Sequence, residues 1–347
     1  MATELVSQLN NDYDNYVYET ELKDFLPPEF IDCHVHVYAH DTGLMKPATA
    51  QRVYWTGKVS RELTGAQLVA AYKDKFPQNK VTPLIFGACG KNRDVNVCND
   101  YVKTVADEYD MPTLFRTSYD MSADFLEEQV IKGGFLGLKP YLTFSPDYIP
   151  REEIRIYDFL PKEHLEVANK HGWIVMLHIA RDKRLKDPVN IAQLLEIEEK
   201  YPNVKLVVAH IGRAYAKEDI GDAFDFLKNT KNMMFDFTAN VCDDAIKACI
   251  EAVGPERLMF GSDLPIAFMR MYRIVENGEY INVVPRGLYG DLTGVPRMRE
   301  TDETDVTTMI YEQIRALKRV ALELKLTDKE VEDIMFTNAK KMIEAAK

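Results

Sequence analysis

The chain has 347 residues, 46% hydrophobic and 28% charged, with 17 glycines and 16 prolines, which excludes collagen-like, low-complexity and coiled-coil organisation. With 43 basic and 55 acidic residues the net charge is −12, the wrong sign for a nucleic-acid or anionic-membrane surface. No apolar run approaches the ~20 residues of a membrane span, and the N-terminus lacks the basic start and apolar core of a signal peptide. The five cysteines (Cys33, Cys89, Cys98, Cys242, Cys249) form no CxxC pair, which argues against a disulfide framework and predicts a reducing, cytoplasmic setting.

Residues 1–29 carry seven acids against Lys23 alone and end at Pro27-Pro28, so they read as an acidic N-terminal extension, either a packed arm or a partner surface. From Phe30 a regular alternation begins. Apolar, β-branched runs predict strands over 30–38, 81–89, 112–118, 135–142, 173–180, 204–211, 233–239 and 258–265. Segments 63–76, 94–109, 189–201 and 218–229 between them have helical character, and 305–324 places Val306, Met309, Ile310, Ile314, Leu317, Val320, Ala321 and Leu324 on one face. Thr327 to Glu330 has the pattern of a capping box for a last short helix.

Eight continuously apolar strands alternating with helices are what a buried parallel sheet requires. That count predicts an α/β fold, a closed (β/α)₈ TIM barrel over 30–347, in preference to a doubly wound sheet, since no strand is followed by a GxGxxG loop. The surplus length falls in segments 40–60, 143–160 and 266–304, all after strand C-terminal ends, where barrel enzymes keep their sites.

Chemistry concentrates at the same ends. His34 and His36 are two apart on the first strand, so simple alternation puts both on one face with Asp32, and turns Cys33, Val35 and Val37 toward the helices. His178, His210 and Asp263 end strands five, six and eight. A barrel mouth would bring these imidazoles and the carboxylate together, the arrangement a catalytic metal requires. Gly137 and Gly261, each two before a polar residue, are expected to leave room beneath the site.

The ordered set IDCHVHVY, MLHIAR, VVAHIGR, FGSDLP and FTNAKKMI resembles the amidohydrolase superfamily, and most the branch that includes aminocarboxymuconate semialdehyde decarboxylase and resorcylate-type decarboxylases. The resemblance spans about residues 30–343. It implies one divalent metal, Zn²⁺ by preference, held by His34, His36, His178 and Asp263, with His210 and Asp263 as the catalytic residues. Binuclear relatives use a carboxylated lysine on strand four. Lys139 holds that strand here, so it either bridges a second metal or, the favoured reading, is a cation that holds an acidic substrate group.

Arg116, Arg181 and Arg213 lie near strand ends, and loop 40–61 carries Lys46, Arg52, Lys58 and Arg61 against Asp41 alone. Arginine's fork matches carboxylates, so a small anionic substrate is expected, with Lys139, Arg116 and Arg181 as its binding residues. Metal-activated attack of water on an amide, lactone or related bond is the leading reaction. Non-oxidative decarboxylation on the same ligands is the alternative, and a non-catalytic binding barrel the third reading. No nucleic-acid or membrane partner is predicted, and a homodimer is left open.

Overall fold

The structure, a computed structural model, describes residues 9–45 and 55–347. Its frame is eight short parallel strands: β1 (Glu29–His36), β2 (Lys80–Phe86), β3 (Phe115–Arg116), β4 (Gly137–Lys139), β5 (Ile174–Leu177), β6 (Lys205–Val208), β7 (Met234–Asp236) and β8 (Leu258–Met259). β1 pairs with β2, and β3 to β8 pair in chain order. The two remaining seams are each spanned by one parallel bridge, Ile85 with Thr113 and Val35 with Leu264. At the second seam Cys33 N donates to Phe260 O (3.0 Å) and Asp263 N to His34 O (2.9 Å). The strands thus follow one another around a (β/α)₈ barrel, as the alternation predicted.

Helices α1 (Asp12–Val17), α2 (Gly65–Lys75), α3 (Val95–Tyr109), α4 (Ala123–Gly133), α5 (Lys162–His171), α6 (Pro188–Lys200), α7 (Ala223–Leu227), α8 (Asp243–Val253), α9 (Met309–Leu324), α10 (Asp328–Glu332) and α11 (Asn338–Ala345) surround them. Thr64 with Gln67 caps α2, and Thr327 with Glu330 caps α10 as the sequence pattern anticipated. α9 begins at Met309, so Val306 precedes the helix although its side chain is buried.

The strands are apolar on both faces because there are two cores. Val35, Ile85, Leu138, Val175 and Val208 face the helices in one cluster. Ile31, Cys33, Leu84, Phe86, Met176 and Val207 fill the barrel, and Ala339, Met342 and Ile343 of α11 join that inner cluster. Burial on both sides explains why the strands read as continuous apolar runs.

Two sequence expectations need correction. In β1 the register runs from Asp32 opposite Pro83 to Val35 opposite Ile85, three steps against two, so β1 carries a bulge. The extra residue breaks the alternation. Cys33 packs inside the barrel, while Asp32 points to α2 and accepts from the Tyr72 hydroxyl (2.7 Å). Segment 266–304 is also no simple loop: β9 (Tyr272–Glu276), β10 (Glu279–Pro285) and β11 (Met298–Thr301) form a separate sheet in the order β11-β10-β9. The β9–β10 hairpin turns at Asn277-Gly278, both with positive φ (51° and 75°), as a tight hairpin turn requires. Lys46 and Arg52 of the basic loop lie outside the described residues.

The described part of the acidic extension is a packed arm. Val17, Tyr18 and Leu22 join the outer core, and Arg315 pairs with Glu21. Asp14 is fully buried and accepts from Arg270 and from the Thr307 hydroxyl (2.7 Å). Burial raises the Asp14 pKa, but the Arg270, Asn11 and Thr307 hydrogen bonds reverse this and hold it below the usual carboxylate range.

Asp14→Ala leaves the Arg270 guanidinium buried without its partner, and the expected loss is about 3–5 kcal/mol in urea denaturation at pH 7. A lowered native pKa gives stability that is complete above the unfolded value of about 4 and is lost as pH falls through the native one. The gap between wild type and variant should therefore narrow on acidification. A gap independent of pH would show that the charge pair does not anchor the arm.

Candidate active site

The C-terminal strand ends converge on one mouth. β1 brings His34 and His36, β4 brings Lys139, and β7 brings Asp236. His178, His210 and Asp263 stand just past β5, β6 and β8. His34, His36 and Asp263 each offer a ligand atom within 4.8 Å of the others. His36 Nε2 lies 3.3 Å and His34 Nε2 3.7 Å from Asp263 Oδ1. His178 stands outside that trio, with its ring 5.1 Å from the His210 ring and 4.6 Å from Tyr141. His210 in turn lies 5.0 Å from the His34 ring.

Each histidine is oriented through its other nitrogen. Nδ1–H donates to Asp236 Oδ2 from His34 (3.0 Å) and to Gly87 O from His36 (2.9 Å). It donates to Ile179 O from His178 (3.1 Å) and to Thr238 O from His210 (2.8 Å). This leaves the four Nε2 atoms for the mouth, where that of His34 accepts from Lys139 and that of His36 lies 3.3 Å from Asp263 Oδ1, and metal coordination or proton transfer there would use them. These donors with the Asp263 carboxylate fit a divalent cation.

Gly261 lets β8 pass this close. A Cβ there would lie 2.8 Å from His34 Cβ and 2.3 Å from the Thr238 hydroxyl oxygen. Gly137 has a different reason from the one expected. A Cβ there would meet Ile174 O at 2.0 Å, so it permits the approach of β4 to β5 and leaves no room under the site.

The protonation states follow from burial and neighbours. Burial, reinforced by nearby positive charge, pushes His34 and His178 well below the ordinary histidine value. Burial also lowers His210, although Asp263 and Asp236 oppose it. Burial lowers His36 too, but Cys89 and Asp263 overcome it and raise it to about 10. A cation seated there displaces that proton. Burial raises Asp263, and hydrogen bonding to His36 with the charges of His210 and His34 brings it below the usual range. Lys139 is fully buried and donates to His34 Nε2 at 3.2 Å. Burial lowers its pKa against the pull of Cys89, Asp236 and Asp263.

His210 opens an unusual turn. His210, Ile211, Gly212 and Arg213 all have positive φ (59°, 47°, 59° and 63°), a full left-handed turn. Asn240 Nδ2 supports it by donating to Ala214 O (2.8 Å), and His210 N donates to Asp236 Oδ1 (2.6 Å). Gly212 meets the turn's conformational demand, and a Cβ there would also strike Leu185 at 2.6 Å.

The arginines expected to hold the substrate are themselves held by the protein. Arg116 is fully buried, with its guanidinium on the Ala88 and Arg93 carbonyls and 4.6 Å from the Phe144 ring centroid. Arg181 Nε pairs with Asp187 (2.9 Å), and its Nη1 lies 3.4 Å from Glu153 O. Both cations already have protein partners. Sequence reasoning missed Asp236, Tyr141 and Cys89. A lone acid inside the apolar run MMFDFTA was the available signal for Asp236. Cys89 Sγ, 3.7 Å from His36 Nδ1, had none.

An amidohydrolase family model matches residues 31–344. No curated protein matches the chain. Among solved structures, it is similar to a probable 2-pyrone-4,6-dicarboxylic acid hydrolase from Acinetobacter baumannii with citric acid bound (TM-score 0.55, 15% identity, 91% of this chain and 99% of that one). It is also similar to a zinc-bound amidohydrolase from Burkholderia multivorans (TM-score 0.57, 13% identity, 91% and 99%). A third likeness is to a 2,6-dihydroxybenzoate decarboxylase complexed with 2,6-dihydroxybenzoate (TM-score 0.55, 12% identity, 92% and 100%). At these identities the likenesses speak for the fold, whereas the family model covers nearly the whole barrel, and by that match the chain belongs to the amidohydrolase family.

Proposed function

We propose that the protein is a metal-dependent hydrolase of a small, anionic molecule, with one Zn²⁺ held by His34, His36, His178 and Asp263. One observation carries the reading: every histidine of the mouth commits Nδ1–H to a protein acceptor and keeps Nε2 for the site. The ion, when bound, supplies Lewis-acid activation of water and of a carbonyl.

The chain's own groups do the rest. Neutral His210, kept so by burial, can take a proton at Nε2 and return it to a leaving group. Asp263 stays ionised and holds a proton only transiently. The Lys139 ammonium supports negative charge developing beside His34. Burial of these groups keeps bulk water from competing. The same set supports a second reading, non-oxidative decarboxylation, in which protonated His210 hands its proton to a substrate carbon. Following CO₂ release beside hydrolysis across amides, lactones and aromatic acids separates the two. The alternative is a binuclear site, in which Lys139, if carboxylated, would help hold a second metal. A cytoplasmic location accords with the five free cysteines.

Purified protein should carry about one divalent ion per chain by elemental analysis, and His34→Ala or Asp263→Ala should lose most of it, because each leaves an incomplete shell. Unchanged metal in both variants would sink the assignment.

His210→Asn should keep the metal and lower kcat by ~10²–10⁴, the usual contribution of a positioned acid or base. Loss of about one metal equivalent per chain would instead favour the binuclear state with Lys139 as bridge.

A further inference from the structure

The arginines around the mouth differ in what holds them. Arg184 pairs with Asp219 and lies 5.6 Å from the Tyr215 ring centroid. Arg273 donates to Asn282 Oδ1 and Ala239 O, both at 3.0 Å. Arg213 is held by one end only. Its Nη1 donates to Arg181 O (3.0 Å) and lies 3.4 Å from Ala180 O and 3.5 Å from Ile179 O. Among the described residues its Nε and Nη2 have no hydrogen-bond partner and no carboxylate pairs with it.

Arg213 lies against the carbonyls that directly follow His178. Arg213 closes the left-handed turn that His210 opens. Burial and the His210 charge lower His178, and the Arg213 charge adds to that effect. Its charge also acts on Tyr141 and Tyr215, against the burial that raises both. Tyr141 flanks His178 at 4.6 Å, and Tyr215 flanks His210 at 6.1 Å between ring centroids. The Nε and Nη2 nitrogens are not sealed from solvent, so an incoming anion can reach them. Anchoring at Nη1 fixes the plane and leaves the Nε–Nη2 edge, the fork that takes a carboxylate through two parallel hydrogen bonds.

We propose that Arg213 is the specificity-determining residue of the site and that its Nε–Nη2 edge seats a substrate carboxylate that anchors and does not react. The inference rests on the small anionic substrate proposed above and narrows it to a carboxylic acid bearing a separate reactive group. Arg213 replaces Arg116 and Arg181 in the reading of substrate charge.

The test is calorimetric titration of the metal-loaded wild type, Arg213→Met and Arg181→Met with isophthalate and with neutral isophthalamide, beside metal analysis and thermal unfolding of each protein. Wild type should bind isophthalate more tightly than the diamide. Arg213→Met should weaken isophthalate about 10- to 100-fold, the range for truncating one side of a partly exposed charge pair, and leave isophthalamide within about 2-fold. Arg181→Met should leave both ligands unchanged. Equal losses for both ligands would assign Arg213 to holding the turn. No preference for isophthalate in the wild type, no loss in Arg213→Met, or a loss in Arg181→Met instead would each overturn the proposal. The readout needs no turnover, so failure of the hydrolase reading shows in metal content and activity while the binding comparison stands on its own.

Discussion

The Asp236 carboxylate organises the mouth of the barrel. It is fully buried at the end of β7, and its two oxygens accept from three donors, one on β1 and two just past β6 and β7. Oδ2 takes His34 Nδ1–H of β1, while Oδ1 takes His210 N (2.6 Å) beyond β6 and Thr238 N (3.1 Å) beyond β7. A carboxyl group buried this deeply needs such partners, because an unsatisfied polar atom out of water is costly. The tautomer of His34, the entry of the backbone into the turn at His210 and the position of Thr238 O, which orients His210, therefore depend on one group. This is the support behind a ligand set that fixes ring direction as well as ring position.

The turn from His210 to Arg213 shows what that support offsets. Left-handed backbone costs ~1–2 kcal/mol for each residue with a Cβ, and three of the four have one. Nothing in local propensity would produce it. The Asp236 and Asn240 hydrogen bonds and the Arg213 contacts to the 179–181 carbonyls hold it in place. Its effect is geometric. The left-handed turn sets Arg213 against the 179–181 carbonyls that follow His178. Strain of this kind gathers at functional sites because the surrounding structure over-determines it.

The barrel and the histidine–aspartate set were legible because each signal repeats. Eight apolar runs cannot all be accidental, and His34 and His36 lie in one while His178, His210 and Asp263 stand near the ends of three others. Features that depend on a single local event were not legible. One inserted residue in β1 turned Cys33 inward and Asp32 outward, and strand parity has no means of showing a bulge. The hairpin at Asn277-Gly278 carried a readable turn signal that the charge of the segment obscured. Arginines could be counted but not sorted, since Arg181 and Arg213 stand equally three residues past a histidine. What separates them is Asp187, at the start of α6, which pairs with one and not the other.

The seam between β8 and β1 has a consequence for how the molecule breathes. Only the Val35–Leu264 bridge and its neighbouring backbone hydrogen bonds close the barrel there, and His34 and His36 lie on one side with Asp263 on the other. Any cation that took ligands from both sides would fasten that seam. Its affinity adds to the work of parting the seam, since a ligand that binds only the closed state stabilises that state by mass action. Amide hydrogens along Cys33–His36 and Asp263–Leu264 would then exchange with solvent at a rate set by free metal concentration, and slow local opening of the barrel would be coupled to cation release.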